Sequence, residues 1–556
     1  MNQSTTDRTK AQWEPPGPGT WEADRSHGPP NPTPLFRRLG AEGTAPAYRG
    51  AMREFGAPIE TIDMQFVNGQ LYRRIVPLVG AKFDRGTPPP ALVIKALTRI
   101  HPAFRREERQ AKRTIETKSY LEGIRHWNEV DRAIWDAENR KLQAIDPAEL
   151  DDDGLAGHLG VLDDFMQRGW HRHHTLHAYD LGPIGDLMAH SQGWGLDTTA
   201  VMSLLQGSSP ATVAAAKHAD AIAAALRGAG VDPLSIDSVE AIRTVPAASA
   251  ALDTYLDSFG WRVVVGYDID GPTLNELPAA ICAAVRAAAA KAHELPDTSE
   301  VYAGLRDECP EPDLFDELVT EARAAYGVRD DNGPLTVAWP FGLMRRSYLE
   351  AGRRLHESNN LIDPDHVFEL DVAELSALVR NPAVGASAFE LADRAAHRDW
   401  EGTLHGPDHL GAAPVVPDVE PLPPSLRRMM NIVLAASSLL EANSNASTNS
   451  LDGVGIGKES YTGRACIVDD AIDAMERLQP GDVLVAPFTA PSFNAVLPIA
   501  GAIVVQEGGL LCHAAVLARE LDTPAVIGVQ GAMTAISNGD QITVDPAAGT
   551  VRLVAN

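Results

Sequence analysis

GGLLCHAAVLARELDTPAVIGV, Gly508 to Val529, is the stretch whose reading decides the C-terminal fold and the chemistry. A β-branched run, AIVVQ (Ala502–Gln506), enters a Gly508-Gly509 turn, and a helix is expected from His513 through Arg519. Ala514 and Ala515 are small and leave the imidazole accessible. A histidine at a helix N-terminus sits in a positive field with free N–H groups nearby. That field lowers the imidazole pKa and keeps the ring a neutral nucleophile. It also favours the anionic oxygens of a phosphoryl group once one is attached. Arg519 follows about two turns later, and a guanidinium suits phosphate oxygens. The competing reading of the same string is a histidine that only opens a helix.

Outward from this string, residues 451–556 alternate short β-branched runs with short helices: RACIV, DVLVAP, AIVVQ, PAVIGV, QITVD and TVRLV, separated by Pro480-Gly481, Gly508-Gly509 and Asn538-Gly539. They predict a compact α/β domain. Before it, residues 411–450 form a linker: a proline-rich piece (AAPVVPDVEPLPP), one helix (SLRRMMNIVLAASSLLEA) and a polar spacer (NSNASTNS). Such a joint would let the last domain swing. Residues 35–410 read as a mainly helical domain, opened by a strand pair at Thr61–Val79 that turns at Asn68-Gly69. Residues 1–34 read as an extended or disordered arm rich in Pro, Gly and charge. The fold class is thus α+β and multidomain.

The chain has 556 residues, with 75 Asp and Glu against 48 Lys and Arg, a net charge of −27. This acidity argues against nucleic acid and anionic membrane as partners. No apolar run is long enough to span a bilayer, and no leader is evident, so the expected location is the cytoplasm. Four separated cysteines without a CxxC pair predict neither a disulfide framework nor a zinc site.

The Gly508–Val529 string closely resembles the phosphohistidine swivelling domain of the phosphoenolpyruvate-utilising enzymes. The shared positions are Gly508, Gly509, Cys512, His513, Ala515, Ala518, Arg519, Glu520, Pro524, Ala525, Val526 and Gly528. The resemblance implies that His513 carries a phosphoryl group, with Gly508, Gly509 and Arg519 binding its phosphate. Two positions depart from the pattern: Leu511 stands where a hydroxyl residue is common, and Asp522 where glycine is usual. Cys512 reads either as a redox-sensitive thiol or as a small buried filler.

More loosely, WEADRSHGPPNPTPL, FVNGQLYRR, YLDSFGWRVVVGYDIDGPTLNELP and LMRRSYLEAGRRLHE resemble the substrate-binding part of the rifampicin phosphotransferase and phenylphosphate synthase relatives. Within these strings Arg262 and Glu276 read as a candidate buried ion pair. No Walker A string or Gly-rich phosphate loop occurs, so the resemblance implies a split phosphotransferase. ATP with Mg²⁺ would be bound mainly by a separate ATP-grasp subunit, His513 would be loaded there, and a small-molecule hydroxyl acceptor would discharge it. ATP and phosphoenolpyruvate both remain open as the donor. An acceptor-side base is sought in GWHRHHTLHAYD (Gly169–Asp180), where helical spacing puts His171 and His174 on one face and His173 and His177 on another. His171 and His174 are the candidate base or substrate contacts; metal binding and a plain polar face are the other readings, and no metal site is assigned. The alternatives for the whole chain are a phosphocarrier serving a protein partner and a self-sufficient enzyme with an unrecognised nucleotide site.

Overall fold

The computed structural model describes residues 11–25, 31–209, 214–264, 266–290, 297–440, 451–489, 493 and 496–554. Parts of the expected arm (1–10 and 26–30) and the polar spacer of the linker (441–450) lie outside the described residues. The chain forms an α+β body followed by an α/β domain. Strand β1 (Thr20–Ala23) is followed by helix α1 (Pro34–Phe55), then by the hairpin β2 (Ile59–Val67) and β3 (Gln70–Pro77). Asn68 and Gly69 turn this hairpin with φ of 47° and 75°, the backbone a two-residue turn needs. Strand β4 (His409–Gly411) completes an antiparallel sheet of order β2-β3-β1-β4. The arm is therefore anchored at Thr20–Ala23, where Trp21 is buried with Tyr72 and Leu410.

The spine of the body is helix α2 (Asp152–Gly193), 42 residues and about 63 Å long. Asp151 caps it by accepting from the Gly154 N–H at 2.8 Å. Leu155, Leu159, Leu162, Met166 and Trp170 recur at three- and four-residue spacing and form its buried stripe. Against α2 pack α1, helix α3 (Pro312–Gly333), helix α4 (Trp339–Glu357) and helix α5 (Pro424–Leu440). Glycines set how closely they approach. A Cβ on Gly169 would stand 2.0 Å from the Thr336 carbonyl oxygen, and one on Gly185 would stand 2.5 Å from that of Ile432 in α5. The helix expected to belong to a swinging linker is thus built into the bundle: Leu426 and Leu439 are buried, and Arg428 pairs with Asp186 at 2.6 Å. The suggested Arg262–Glu276 pair does not form. Glu276 binds Arg345 at 2.9 Å, while the Arg262 guanidinium stacks on Phe259 and Trp339.

The last domain holds β5 (Val454–Ile456), β6 (Tyr461–Ile467), β7 (Val483–Ala486), β8 (Ala502–Val505), β9 (Ala525–Ile527), β10 (Gln541–Asp545) and β11 (Thr550–Leu553). They form one sheet of order β11-β10-β6-β7-β8-β9-β5, parallel from β6 to β9. Its two ends meet: Asp452 bridges to Thr550, and Gly453 N–H donates to the Gly549 carbonyl at 2.8 Å. Val483, Val485, Ala502 and Val504 fill the inside, while Leu484, Ala486, Ile503 and Val505 face the covering helices. Both faces of these strands are covered, which is why β7 and β8 read as continuous apolar runs.

The α2 contacts yield a stability prediction. Gly169→Ala should destabilise the body by about 1–3 kcal/mol or more, because the clash is with backbone. Gly157→Ala, on the exposed side of α2 with nothing within 4 Å, should gain roughly 0.5–1 kcal/mol. Chemical denaturation of the two variants checks the pair.

Candidate functional site

Helix α6 (His513–Glu520) begins at the site, with Cys512 as its N-cap residue. Gly508 precedes it with φ of 126°, and a Cβ there would fall 2.9 Å from Cys512 Cβ and Sγ. This glycine is therefore required by the turn, independent of any phosphate it would contact. His513 is half-buried. Burial pushes its imidazole down to about 3, so the ring is neutral at physiological pH. The neutral ring expected from the helix field is thus accounted for by desolvation. The Cys512 thiol is pushed up, chiefly by burial, which disfavours a reactive thiolate. Asp522, where glycine is usual, has φ of 48°. The left-handed backbone accounts for the glycine preference, and aspartate is among the side chains that best tolerate it.

Helix α6 is held against the body on several sides. The Leu511 N–H donates to the Leu439 carbonyl of α5 at 2.8 Å. The Glu520 carboxylate accepts from the Gly207 N–H at 3.0 and 3.2 Å, and Gln206 Nε2 donates to the Arg519 carbonyl at 3.0 Å. Leu510, Leu511 and Val516 are buried in one apolar cluster with Leu187, Leu205 and Leu439. Leu511, the departure from a hydroxyl, is thus a docking residue. Arg519, the expected phosphate ligand, is buried, with Nη1 donating to the Leu510 carbonyl at 2.7 Å. In this docked arrangement it braces the loop ahead of His513.

Beside this loop the body encloses a cavity of about 90 Å³. Phe36, Tyr48, Phe66, Trp170 and Tyr267 supply aromatic walls; Asp24, Arg73, Arg329, His173, His174 and His177 supply polar groups. Of the two histidines singled out from sequence, the structure brings only His174 here, and His171 is exposed on the other side of α2. His174 Nδ1 lies 2.9 Å from the Trp170 carbonyl oxygen. A carbonyl only accepts, so Nδ1 carries the proton and Nε2 carries the lone pair. His173 and His177, assigned by spacing to a different face, also line the cavity and contact each other, Nε2 to Nε2, at 3.1 Å.

These two rings belong to a buried chain. His177 Nδ1 meets Asp180 Oδ2 at 2.9 Å, and His173 Nδ1 meets Asn332 Oδ1. Asn332 donates its own amide to the Val328 and Arg329 carbonyls, which turns its oxygen toward His173. Burial raises Asp180 to about 8, against the opposing charge of Arg329. With Asp180 protonated every bond has a donor: Asp180 to His177, His177 to His173, and His173 to Asn332. Arg329 connects the cavity with the loop that enters α6. It lines the cavity, its Nη2 is 3.5 Å from the Leu511 carbonyl oxygen, and its Nη1 is 3.9 Å from Asp180 Oδ1. The sequence analysis drew attention to His173 and His177 as part of the cluster but not to Asp180, nor to Arg329 and Asn332, which come together with them only through the packing of α3 on α2. Among the described residues no grouping of three or more His, Cys, Asp or Glu is suited to a metal, and no helix is long and apolar enough to cross a membrane.

Residues 478–549 match the family model of the PEP-utilising enzyme mobile domain. The match covers the greater part of the C-terminal domain, from just before β7 to the turn ahead of β11. Three relatives define its surroundings. The phosphoenolpyruvate synthase of Deinococcus radiodurans is 41% identical over 99 residues, 18% of this chain and 13% of that protein. A rifampicin phosphotransferase of a Streptomyces species is 27% identical over 326 residues, 55% of this chain and 35% of its own length. The uncharacterised phosphotransferase YvkC of Bacillus subtilis is 28% identical over 313 residues, 54% of this chain and 36% of that one. The matches thus span little more than a third of these relatives at most, and reach well into the body here.

The Glu520 contact gives a pH prediction. Burial is the main cause that raises its carboxyl from 4.5 to about 7. A raised carboxyl pKa means the docked state holds a proton that the released state gives up. The contribution is fully present below about 4.5 and is lost as pH rises through about 7. Docking should therefore weaken over that interval and then level off. Glu520→Gln keeps an acceptor for Gly207 and should flatten the dependence, read as domain separation by small-angle scattering across the same pH range.

Proposed function

We propose that this chain relays a phosphoryl group through His513 to a small organic hydroxyl compound seated in the cavity on α2. The observation that carries the reading is the junction at Arg329, where the loop entering the carrier histidine abuts a wall of the aromatic cavity. A second approach supports it: Asp24, a cavity residue, acts electrostatically on Glu507, just ahead of Gly508-Gly509. The mobile-domain match and the phosphotransferases among the relatives support a phosphohistidine intermediate. The cavity of about 90 Å³ favours a small acceptor, since pockets for drug-sized ligands run from about 300 to 1,000 Å³.

In the first half-reaction the neutral His513 ring attacks the donor phosphorus; the P–N bond forms as the P–O bond to the rest of the donor breaks, the leaving oxygen takes the electron pair, and the ring gives up its N–H proton. A separate ATP-grasp subunit supplies that donor, with Mg²⁺ held by the nucleotide and the partner. In the second, the acceptor hydroxyl attacks the phosphoramidate. A hydroxyl is a poor nucleophile at neutral pH, and His174, with its lone pair on Nε2, takes its proton. Gly508 and Gly509 shape the loop that presents the phosphoryl group. Splitting the transfer through a covalent carrier replaces one hard step by two easier ones.

Incubation with an ATP-grasp partner and radiolabelled ATP tests the relay. The chain should take one acid-labile, base-stable phosphate, and none without the partner. His513→Ala should stay folded and take none; a variant that labels like wild type would refute the carrier role. His174→Ala should load normally and discharge about 10²–10⁴-fold more slowly, whereas His171→Ala should discharge at the wild-type rate.

A further inference from the structure

The relay through His513 requires a cation at the phosphoryl group, because charge on three oxygens must be balanced while the transfer occurs. In a chain of net charge −27 the candidates near His513 are few. Arg519 lies on the same helix but is buried behind the loop, with Nη1 spent on the Leu510 carbonyl. Arg329 approaches from the body. One end of its guanidinium reaches the Leu511 carbonyl, two residues before His513, and the same side chain forms part of the cavity wall. The carboxylate it faces, Asp180, does not engage it in a hydrogen bond. Asp180 Oδ2 is taken by His177, and Oδ1 is 3.9 Å from Nη1. At that separation the guanidinium keeps its fork of N–H donors for another anion. Its charge is felt on both sides of the junction: it acts on the Cys512 thiol next to the carrier and on the Tyr48 and Tyr267 phenols in the cavity.

We propose that Arg329 is a catalytic residue of the transfer step, its guanidinium donating to the oxygens of the phosphoryl group as that group passes from His513 to the acceptor in the cavity. This rests on the relay reading above. In the step, the acceptor oxygen forms its bond to phosphorus while the P–N bond breaks. The P–N electron pair returns to the His513 ring nitrogen, which takes up a proton and balances the one the hydroxyl gives to His174. Arg329 gains and loses nothing covalently. It holds the charge that is common to the reactant and product phosphates and to the state between them. The body thus contributes to the chemistry from α3, and the mobile domain becomes transfer-competent only when docked there.

The test uses the full chain loaded chemically at His513 with potassium phosphoramidate and followed by phosphorus NMR, which needs neither the partner nor the natural acceptor. A guanidinium in contact with the phosphoryl group favours its dianion and lowers the pH at which it takes up its second charge. Arg329→Gln should move that midpoint up by about one pH unit. Arg329→Lys keeps the charge and should titrate near wild type, which a purely structural role would not require. Arg329→Met, with a similar apolar stem, should repeat the upward shift and stands in if the Gln variant does not fold. Midpoints in both uncharged variants equal to wild type would overturn the assignment of Arg329. A wild-type chain that takes no label beyond the His513→Ala blank would instead overturn the relay itself.

Discussion

A neutral imidazole held out of water at the seam between two domains is the condition on which the rest of this structure depends. Exposed, His513 would titrate near neutrality and divide its time between nucleophile and cation. Partly desolvated against the body, it stays unprotonated. The seam beside it is built from the mobile domain's own loop, through Leu510 and Leu511, and from residues of α2 and α5. It therefore inherits the exactness of the helix packing beneath it. The close approach of α5 to Gly185 and of residues 334–338 to Gly169 fixes the helices that carry Leu439 and Arg329, both of which meet the loop before α6.

Charge is partitioned around this seam. On the cavity side Asp180, His177, His173 and Asn332 satisfy one another with no net charge when the aspartate is protonated. A buried carboxylate beside Arg329 would ordinarily bind it directly. Here the carboxylate is occupied by a histidine, and the arginine points along the junction. His174, on the same wall, has its tautomer set by the Trp170 backbone carbonyl. The cavity thus combines aromatic walls with imidazole, carboxyl and guanidinium groups.

Much of the C-terminal domain was legible from residue order because its strands are short, β-branched and punctuated by glycine; β7 to β11 all fall within runs singled out on that basis, and β6 overlaps one but starts three residues before it. Strand β5, only Val454–Ile456 in a glycine-rich piece, carries too little pattern to be read. The Asn68-Gly69 turn was legible because its backbone demands those residues. The helix at Pro424–Leu440 was legible as a helix but not as part of the bundle, since its partners, Gly185 and Asp186, lie far away in sequence. The placement of the histidines failed for a related reason. Helical spacing sorts side chains into faces, yet the cavity at a broad helix surface accepts residues 173, 174 and 177 together. Arg329 could not be found at all from a local motif, because its meaning comes from which carbonyl and which carboxylate surround it.

The joined ends of the seven-stranded sheet bear on what the mobile domain can survive. A domain that leaves its dock exposes whatever the dock covered, and an open sheet edge is among the most hazardous things to expose, because unpaired N–H and C=O groups template pairing with other chains. Here the Asp452–Thr550 bridge and the Gly453 to Gly549 hydrogen bond bring the first and last strands together. Separation from the body uncovers the apolar side chains around α6 but leaves the strand ladder closed upon itself. A domain closed in this way would offer few unpaired strand groups for intermolecular β-structure if it left the body.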